Sequence, residues 1–321
     1  GTLAPQSDAS NIVTVNFGEG LALGSEATPI YVALPAGEFG MVEVKLHTAT
    51  DAMVVKFDTS GTKALKAGIV REFGPFAYVA NSSSEATVYD IYDVATLKAF
   101  ASAASTFTTD VLARVTAPID MSGEEWTPIE GYAYVFDGGN NPITGLTAPL
   151  FGVSSGIIRN VVLTDVDITT NDRLVAGGVV CTLINTGLTT PVLENCKVSG
   201  KIVVNNQTSK NISDSVDFDT YCYGGVAGVV RGGIVTGCVN ETNISVLQGA
   251  ALDNTLAINP AVGGVVARTT DVTINDTSIF ASVYNCVNGS ATNSEVGRIN
   301  YYDNCQSKLY VPHVGGVMGI C

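Results

Sequence analysis

The chain has 321 residues, 46% of them apolar and only 14% charged, with a net charge of −14. That apolar content excludes a disordered chain, and the length suits about two domains. The acidic balance disfavours nucleic acid and anionic lipid as partners, and no apolar run reaches the ~18 residues of a membrane span.

The opening Gly1-Thr2-Leu3-Ala4-Pro5 lacks the basic-then-apolar pattern of an export signal. Residues 1–88 predict a small β-sandwich. Ile12 to Phe17 contains a stretch of alternation. Further on, Val42, Val44 and Leu46 alternate with Glu43, Lys45 and His47, and Met53, Val55 and Phe57 alternate with Val54 and Lys56. Such alternation marks strands with one buried and one wet face. Pro35-Ala36-Gly37 and Asp58-Thr59-Ser60-Gly61 supply the turns between them. Asn81 to Glu85 reads as a linker. A single helix is expected after it, with Asp93 as N-cap and Val94, Leu97, Ala101 and Ala104 on one face. Asp110 to Thr116 then reads as a strand.

The second domain, 89–321, is dominated by a repeat. Gly-Gly-Val recurs at Gly177-Gly178-Val179, Gly224-Gly225-Val226, Gly263-Gly264-Val265 and Gly315-Gly316-Val317, with starts 47, 39 and 52 residues apart. Leu150-Phe151-Gly152-Val153 is a degenerate earlier copy. Each unit predicts three short strands: the Gly-Gly-Val strand, one like Val192 to Val198, and one like Gly200 to Val204. Self-similarity at this spacing predicts coils of a right-handed parallel β-helix. Paired glycines suit a sharp corner or a close backbone approach. The stretch from Thr269 to Val296 fits the unit poorly. The loops Asn205 to Tyr221 and Gln248 to Pro260 are the longest.

Seven cysteines are present, and none sits in a CxxC pair, which argues against zinc. Asn precedes Cys at Asn195-Cys196, Asn285-Cys286 and Asn304-Cys305, while Gly237-Cys238 holds the matching place with Gly. The shared position predicts one inward stack of small apolar fillers, reduced rather than bridged.

Three sets of residues bear on chemistry. Asp165 and Asp167, two apart on a predicted strand, with Arg159 upstream, are the set that a polysaccharide lyase or glycoside hydrolase would use. The plainer reading is a solvated strand face. Asp214, Asp217 and Asp219 in a long loop are hard oxygen ligands suited to calcium, although their spacing does not match an EF-hand. Tyr221, Tyr223, Tyr301 and Tyr302 flank loops and are the candidates for stacking on sugar rings, against a packing role in the core. Trp126 is expected to be buried. His47 and His313 fall in different predicted domains, which disfavours a histidine dyad. Asn-x-Ser/Thr sequons, Asn206, Asn211 and Asn275 among them, read as Asn-rich turns.

The run from Leu112-Ala113-Arg114-Val115 through Glu125-Trp126-Thr127-Pro128-Ile129, Phe136-Asp137-Gly138-Gly139-Asn140, Ile143-Thr144-Gly145-Leu146 and Leu150-Phe151-Gly152 resembles the start of bacterial surface proteins with GLUG-type repeats. The later Gly-Gly-Val strands look like the repeat itself. Ala117-Pro118 departs from the more acidic pair usual there. Ile30 to Gly37 and Gly68 to Phe73 look like the β-sandwich modules of fimbrillin-like surface proteins. The resemblance implies an exported protein at a bacterial surface, tethered by lipid through a removed N-terminal segment. It implies adhesion to a host or microbial glycan or surface protein, with no defined chemistry and no cofactor other than calcium. A non-catalytic adhesin, a β-helix polysaccharide enzyme and a structural spacer are the three functional expectations. The chain stops at Gly319-Ile320-Cys321, just after a predicted coil strand. An open coil end is an association hazard, and a partner subunit or further sequence is expected to cover it.

Overall fold

The computed structural model describes residues 15, 17, 28–34, 36–48, 52–74, 76–79, 83–108, 110–171, 175–206, 221–248, 260–303 and 312–321. Among them the protein is all-β with one short α-helix. Its contacts divide it into two units, Gly1–Val88 and Tyr89–Cys321.

In the first unit, Met41–His47 pairs antiparallel with Ala52–Asp58. Ala52–Asp58 pairs in parallel with residues 83–87. The alternation predicts the faces correctly: Met53, Val55 and Phe57 are buried, while Glu43, Lys45 and His47 are exposed. Phe57 anchors this side, with its ring 5.2 Å from that of Phe73 and 6.0 Å from that of Phe76. The described residues hold one sheet layer in this unit.

In the second unit the chain visits four parallel sheets in a fixed order. The first sheet contains Asp110–Val115, Val135–Asp137, Ile157–Arg159, Val192–Glu194, Ile234–Thr236 and Ser282–Tyr284. The second contains Ile119–Asp120, Pro142–Thr144, Val162–Thr170, Lys197–Asn206 and Val239–Gln248, with Val287–Asn288 and Ile299–Asp303 both on the last of these. The third contains Val175–Ala176, Cys222–Gly224, Ala261–Gly263 and His313–Gly315. The fourth contains Phe151–Ser154, Val180–Ile184, Ala227–Arg231, Val266–Thr270 and Met318–Ile320. Each of the four circuits from Ile157 onward therefore has strands in four sheets rather than the three expected, because the Gly-Gly-Val segment is split between two sheets at its glycine pair.

The glycine pairs are required by sterics. A Cβ on Gly225 would sit 2.2 Å from the Gly264 carbonyl oxygen, and one on Gly264 1.9 Å from that of Gly316. A Cβ on Gly224 would meet the Ala227 carbonyl oxygen at 1.9 Å. In Gly177-Gly178, Gly224-Gly225 and Gly263-Gly264 the second glycine allows the next circuit to approach and the first allows the bend, whereas in the last pair only Gly315 is so confined.

The corner between the first and second sheets has its own rule. Asn160, Asn195 and Asn285 adopt left-handed φ values of 54°, 51° and 55°, and Gly237 adopts 63°. Only Gly, Asn and Asp enter this region at low cost. That explains why Asn precedes Cys at Asn195-Cys196 and Asn285-Cys286 and Gly at Gly237-Cys238, while Asn304-Cys305 lies outside the described residues. The corner also breaks the strand expected over Val192 to Val198 into Val192–Glu194 and the start of Lys197–Asn206.

The helix, Val94–Ala103, starts at Asp93, whose side chain accepts from the Thr96 amide while the Thr96 side chain caps back. Leu97, Phe100 and Ala104 join the core. Phe100, absent from the expected stripe, is its centre: its ring lies 5.5 Å from Tyr132 and 5.8 Å from Phe136. Trp126 is buried too, its Nε1 donating to the Pro149 carbonyl at 3.0 Å.

The poorly fitting stretch resolves into two insertions. The first is an antiparallel hairpin, Val272–Ile274 with Thr277–Ile279, turning at Asn275-Asp276. Both turn residues have positive φ, 49° and 60°, as a type I′ turn needs. The second insertion separates Val287–Asn288 from Ile299–Asp303 in the second sheet.

Candidate functional site

Arg159 lies on the first sheet, in a row that alternates in charge across its strands. Arg114 is in register with Asp137, Asp137 with Arg159, and Arg159 with Glu194. Arg159 Nε donates to Asp137 Oδ2 at 2.9 Å. The other oxygen of Asp137 accepts from Asn160 Nδ2 at 3.1 Å and from the Gly139 amide at 2.8 Å. Upstream, Arg114 Nη2 is 2.9 Å from Asp90 Oδ1, with the Asp90 side chain fully buried. Removing one member of such a pair leaves a desolvated charge, which costs roughly 3–5 kcal/mol. Arg159 is thus committed to the structural row.

Asp165 and Asp167 project instead from the second sheet, both exposed. Asp165 has φ 50° and sits where the register slips between Leu163 and Val166. Such a bulge re-aims a side chain. Asp167 is 3.1 Å from Lys201 Nζ, an exposed pair. The structure therefore brings Asp167 together with Lys201, and Arg159 with Asp137. The expected set of Asp165, Asp167 and Arg159 is divided between two sheets.

The outer face of the second sheet is built by strict alternation. Inward positions Ile168, Ile202 and Ile244 are in register and belong to the core. Their outward neighbours Asp167, Lys201 and Asn243 form one row. Asn243 Oδ1 accepts from the Arg298 amide at 3.0 Å, and its Nδ2 donates to the Glu295 carbonyl at 3.0 Å. The next outward row is Thr169, Val203, Ser245 and Asn300. Beyond it, Asn205, Leu247 and Tyr302 form a third. Lys197 and Glu241 pair at 3.0 Å on the same face. The charged groups are thus largely matched in sign, and hydroxyls and amides lie between them.

The four tyrosines separate. Tyr302 is 58% exposed, and its neighbour Tyr301 points inward and packs against the core. Tyr221 and Tyr223 correct the expectation: both are buried, so neither presents a ring face to a ligand. Tyr223 alternates inward on the third sheet, between Ala176 and Val262 of adjoining circuits. Burial also raises the Tyr221 hydroxyl above the ordinary phenol range. Asp214, Asp217 and Asp219 lie outside the described residues. No group of three or more His, Cys, Asp or Glu side chains arranged for a metal occurs among the described residues.

No family model matches the chain, and no curated protein matches it. Among solved structures it is similar to "a putative immunoglobulin A1 protease from Bacteroides ovatus". That similarity has 18% identity and a TM-score of 0.48, and it covers 72% of this chain and 70% of the other.

Lys201, Asn243, Ser245 and Asn300 were not foreseen as members of one face. The signal exists in the sequence: Asp167-Ile168, Lys201-Ile202 and Asn243-Ile244 superimpose once the strands are aligned by their buried isoleucines. A second missed feature is internal. Asn240 is fully buried, and its Nδ2 donates to Asn288 Oδ1 at 2.7 Å. Both lie in sequons, so the reading of sequons as turns holds for Asn275 and fails for this stacked pair.

Proposed function

We propose that the protein is a non-catalytic adhesion protein of a bacterial cell surface that binds glycan on the outer face of its second sheet. Residues 89–321 are read as a right-handed parallel β-helix of the GLUG type, after a fimbrillin-like sandwich in residues 1–88. The four-sheet circuits and the residues of the resemblance support that reading. Export, tethering by lipid through a removed leader and contact with a host or microbial surface follow from the same resemblance.

The observation that carries the function is the outer face itself. Tyr302 offers an exposed ring beside rows of Asp, Lys, Asn, Ser and Thr side chains, and such a ring with adjacent hydrogen-bonding groups suits a sugar. Because the charged groups are largely paired, a neutral, hydroxyl-rich ligand fits better than a polyanion or polycation. The division of Asp165 and Asp167 from Arg159 weighs against the polysaccharide lyase reading.

A glycan array probed with the full chain, with and without calcium, tests this. Binding to one glycan class without turnover is expected, weakened about tenfold by Tyr302→Ala. Binding to no glycan would end the glycan reading and leave protein adhesion or a spacer. Dependence on calcium would direct attention to Asp214, Asp217 and Asp219.

A further inference from the structure

The strongest unassigned cluster is a column of thiols inside the second unit. Cys196, Cys238 and Cys286 each follow the left-handed corner residue of their circuit, so all three turn inward at the same point. Their geometry repeats. The Cys196 thiol contacts the carbonyls of Ile158 and Glu194 at 3.9 and 3.3 Å. Cys238 contacts those of Leu193 and Thr236 at 3.6 and 3.4 Å. Cys286 contacts those of Val235 and Tyr284 at 3.8 and 3.3 Å. The strand ends that precede them are in register, Glu194 with Thr236 and Thr236 with Tyr284, so the three thiols stack on adjacent strands. All three are reduced. Cys196 and Cys238 are sealed in the core, whereas Cys286 is half-buried and reaches solvent.

We propose that Cys238 and Cys286 form a two-coordinate site for a soft monovalent cation such as Cu(I) or Ag(I). Three considerations lead there. Soft thiolates select soft ions. A linear S–metal–S unit spans roughly 4.6 Å, taking ~2.3 Å per metal–sulfur bond as for zinc. That length is close to the ~4.8 Å between adjacent strands, which sets the separation of equivalent side chains in a column. Collinear thiols offer no tetrahedron, so zinc is a poor fit. Binding replaces two S–H bonds with two S–metal bonds and releases two protons, with no change of oxidation state, so affinity rises with pH. Cys286 supplies the entry, and Cys196 is too enclosed to be first choice.

The test is titration of the full chain with Ag(I), and with Cu(I) under anaerobic conditions, using the Cys305→Ser, Cys321→Ser double variant as the parent, which removes the exposed Cys321 thiol and the Cys305 thiol outside the described residues. After loading, the protein is denatured, alkylated and mapped by mass spectrometry. Cys238 and Cys286 should be protected together at one ion per chain, while Cys196 still labels. Cys238→Ala and Cys286→Ala should each weaken binding by at least ~100-fold, beyond the ~10–100-fold of changes outside the ligand shell. Cys196→Ala should bind as the parent does. Equal labelling of Cys238 with and without the ion would overturn the proposal, as would full affinity in Cys238→Ala. Protection mapping needs no core substitution, so a variant that fails to fold does not leave the question open.

Discussion

At the scale of single residues, the left-handed corner decides what the chain tolerates. Asn195 has φ 51° and accepts no replacement with a branched side chain without strain. Asn195→Val should lower stability by about 1–2 kcal/mol, the range for an L-residue forced into this region. Asn195→Gly should stay within about 0.5 kcal/mol of the parent, because Gly is at home in this region and Gly237 already holds the equivalent place. Urea midpoints of the two variants check this, and equal loss in both would show that the Asn side chain rather than its backbone matters. The Asn-Cys recurrence was legible in the sequence as an inward stack, and Cys196 and Cys238 are in the core. Its cause was not legible, since φ leaves no mark except the interchange of Asn with Gly. The tyrosines were misplaced for a related reason. Proximity to a loop says nothing about which way a strand residue points, and Tyr223 falls on the inward phase.

At the scale of elements, the glycine pairs turn a strand into two and set the distance between circuits. Adding a methyl at Gly225 directs it at both the Gly264 carbonyl and the Asn240 side chain. Gly264 is on the neighbouring circuit, held there by backbone hydrogen bonds such as Gly225 N to Gly264 O at 3.0 Å. Relief therefore requires those bonds to stretch or break. Gly225→Ala should cost about 3 kcal/mol or more, as overpacking and lost hydrogen bonds combine. A Cβ on Gly316 meets nothing within 4 Å, so Gly316→Ala should be nearly neutral. Thermal unfolding of the pair is the measurement, and a neutral Gly225→Ala would refute the close-approach account. The repeat was read from these glycines. The fourth strand was missed because the pattern Gly-Gly-Val looks continuous until its bend is seen. The hairpin at Val272–Ile279 was missed because an insertion has no counterpart in other circuits to align with it.

At the scale of the molecule, one buried column links stability to pH. The neighbouring Cys196 thiol and burial push Cys238 well above the ordinary thiol range. The folded state therefore keeps a proton that the unfolded chain surrenders above roughly pH 8.5. A raised pKa contributes stability that is fully present below the unfolded value and disappears as pH climbs towards the folded one. Above pH ~8.5 stability should fall by up to about 1.4 kcal/mol per pH unit for this one proton. Cys238→Ala should flatten that slope, even if it lowers stability at pH 7 by leaving a small cavity. On the acid side the sign reverses. Hydrogen bonds from Ser60 and Ser122 hold Asp58 and Asp120 below the usual carboxylate range, so their contribution is present near neutrality and fades as pH drops through the carboxylate range. Urea unfolding of parent and variant from pH 7 to 10 separates the cases. Parallel curves would mean that Cys238 ionises in the folded protein much as it does in the unfolded chain. Diverging curves would place this alkaline loss of stability on Cys238, a side chain that the sequence shows only as Gly-Cys.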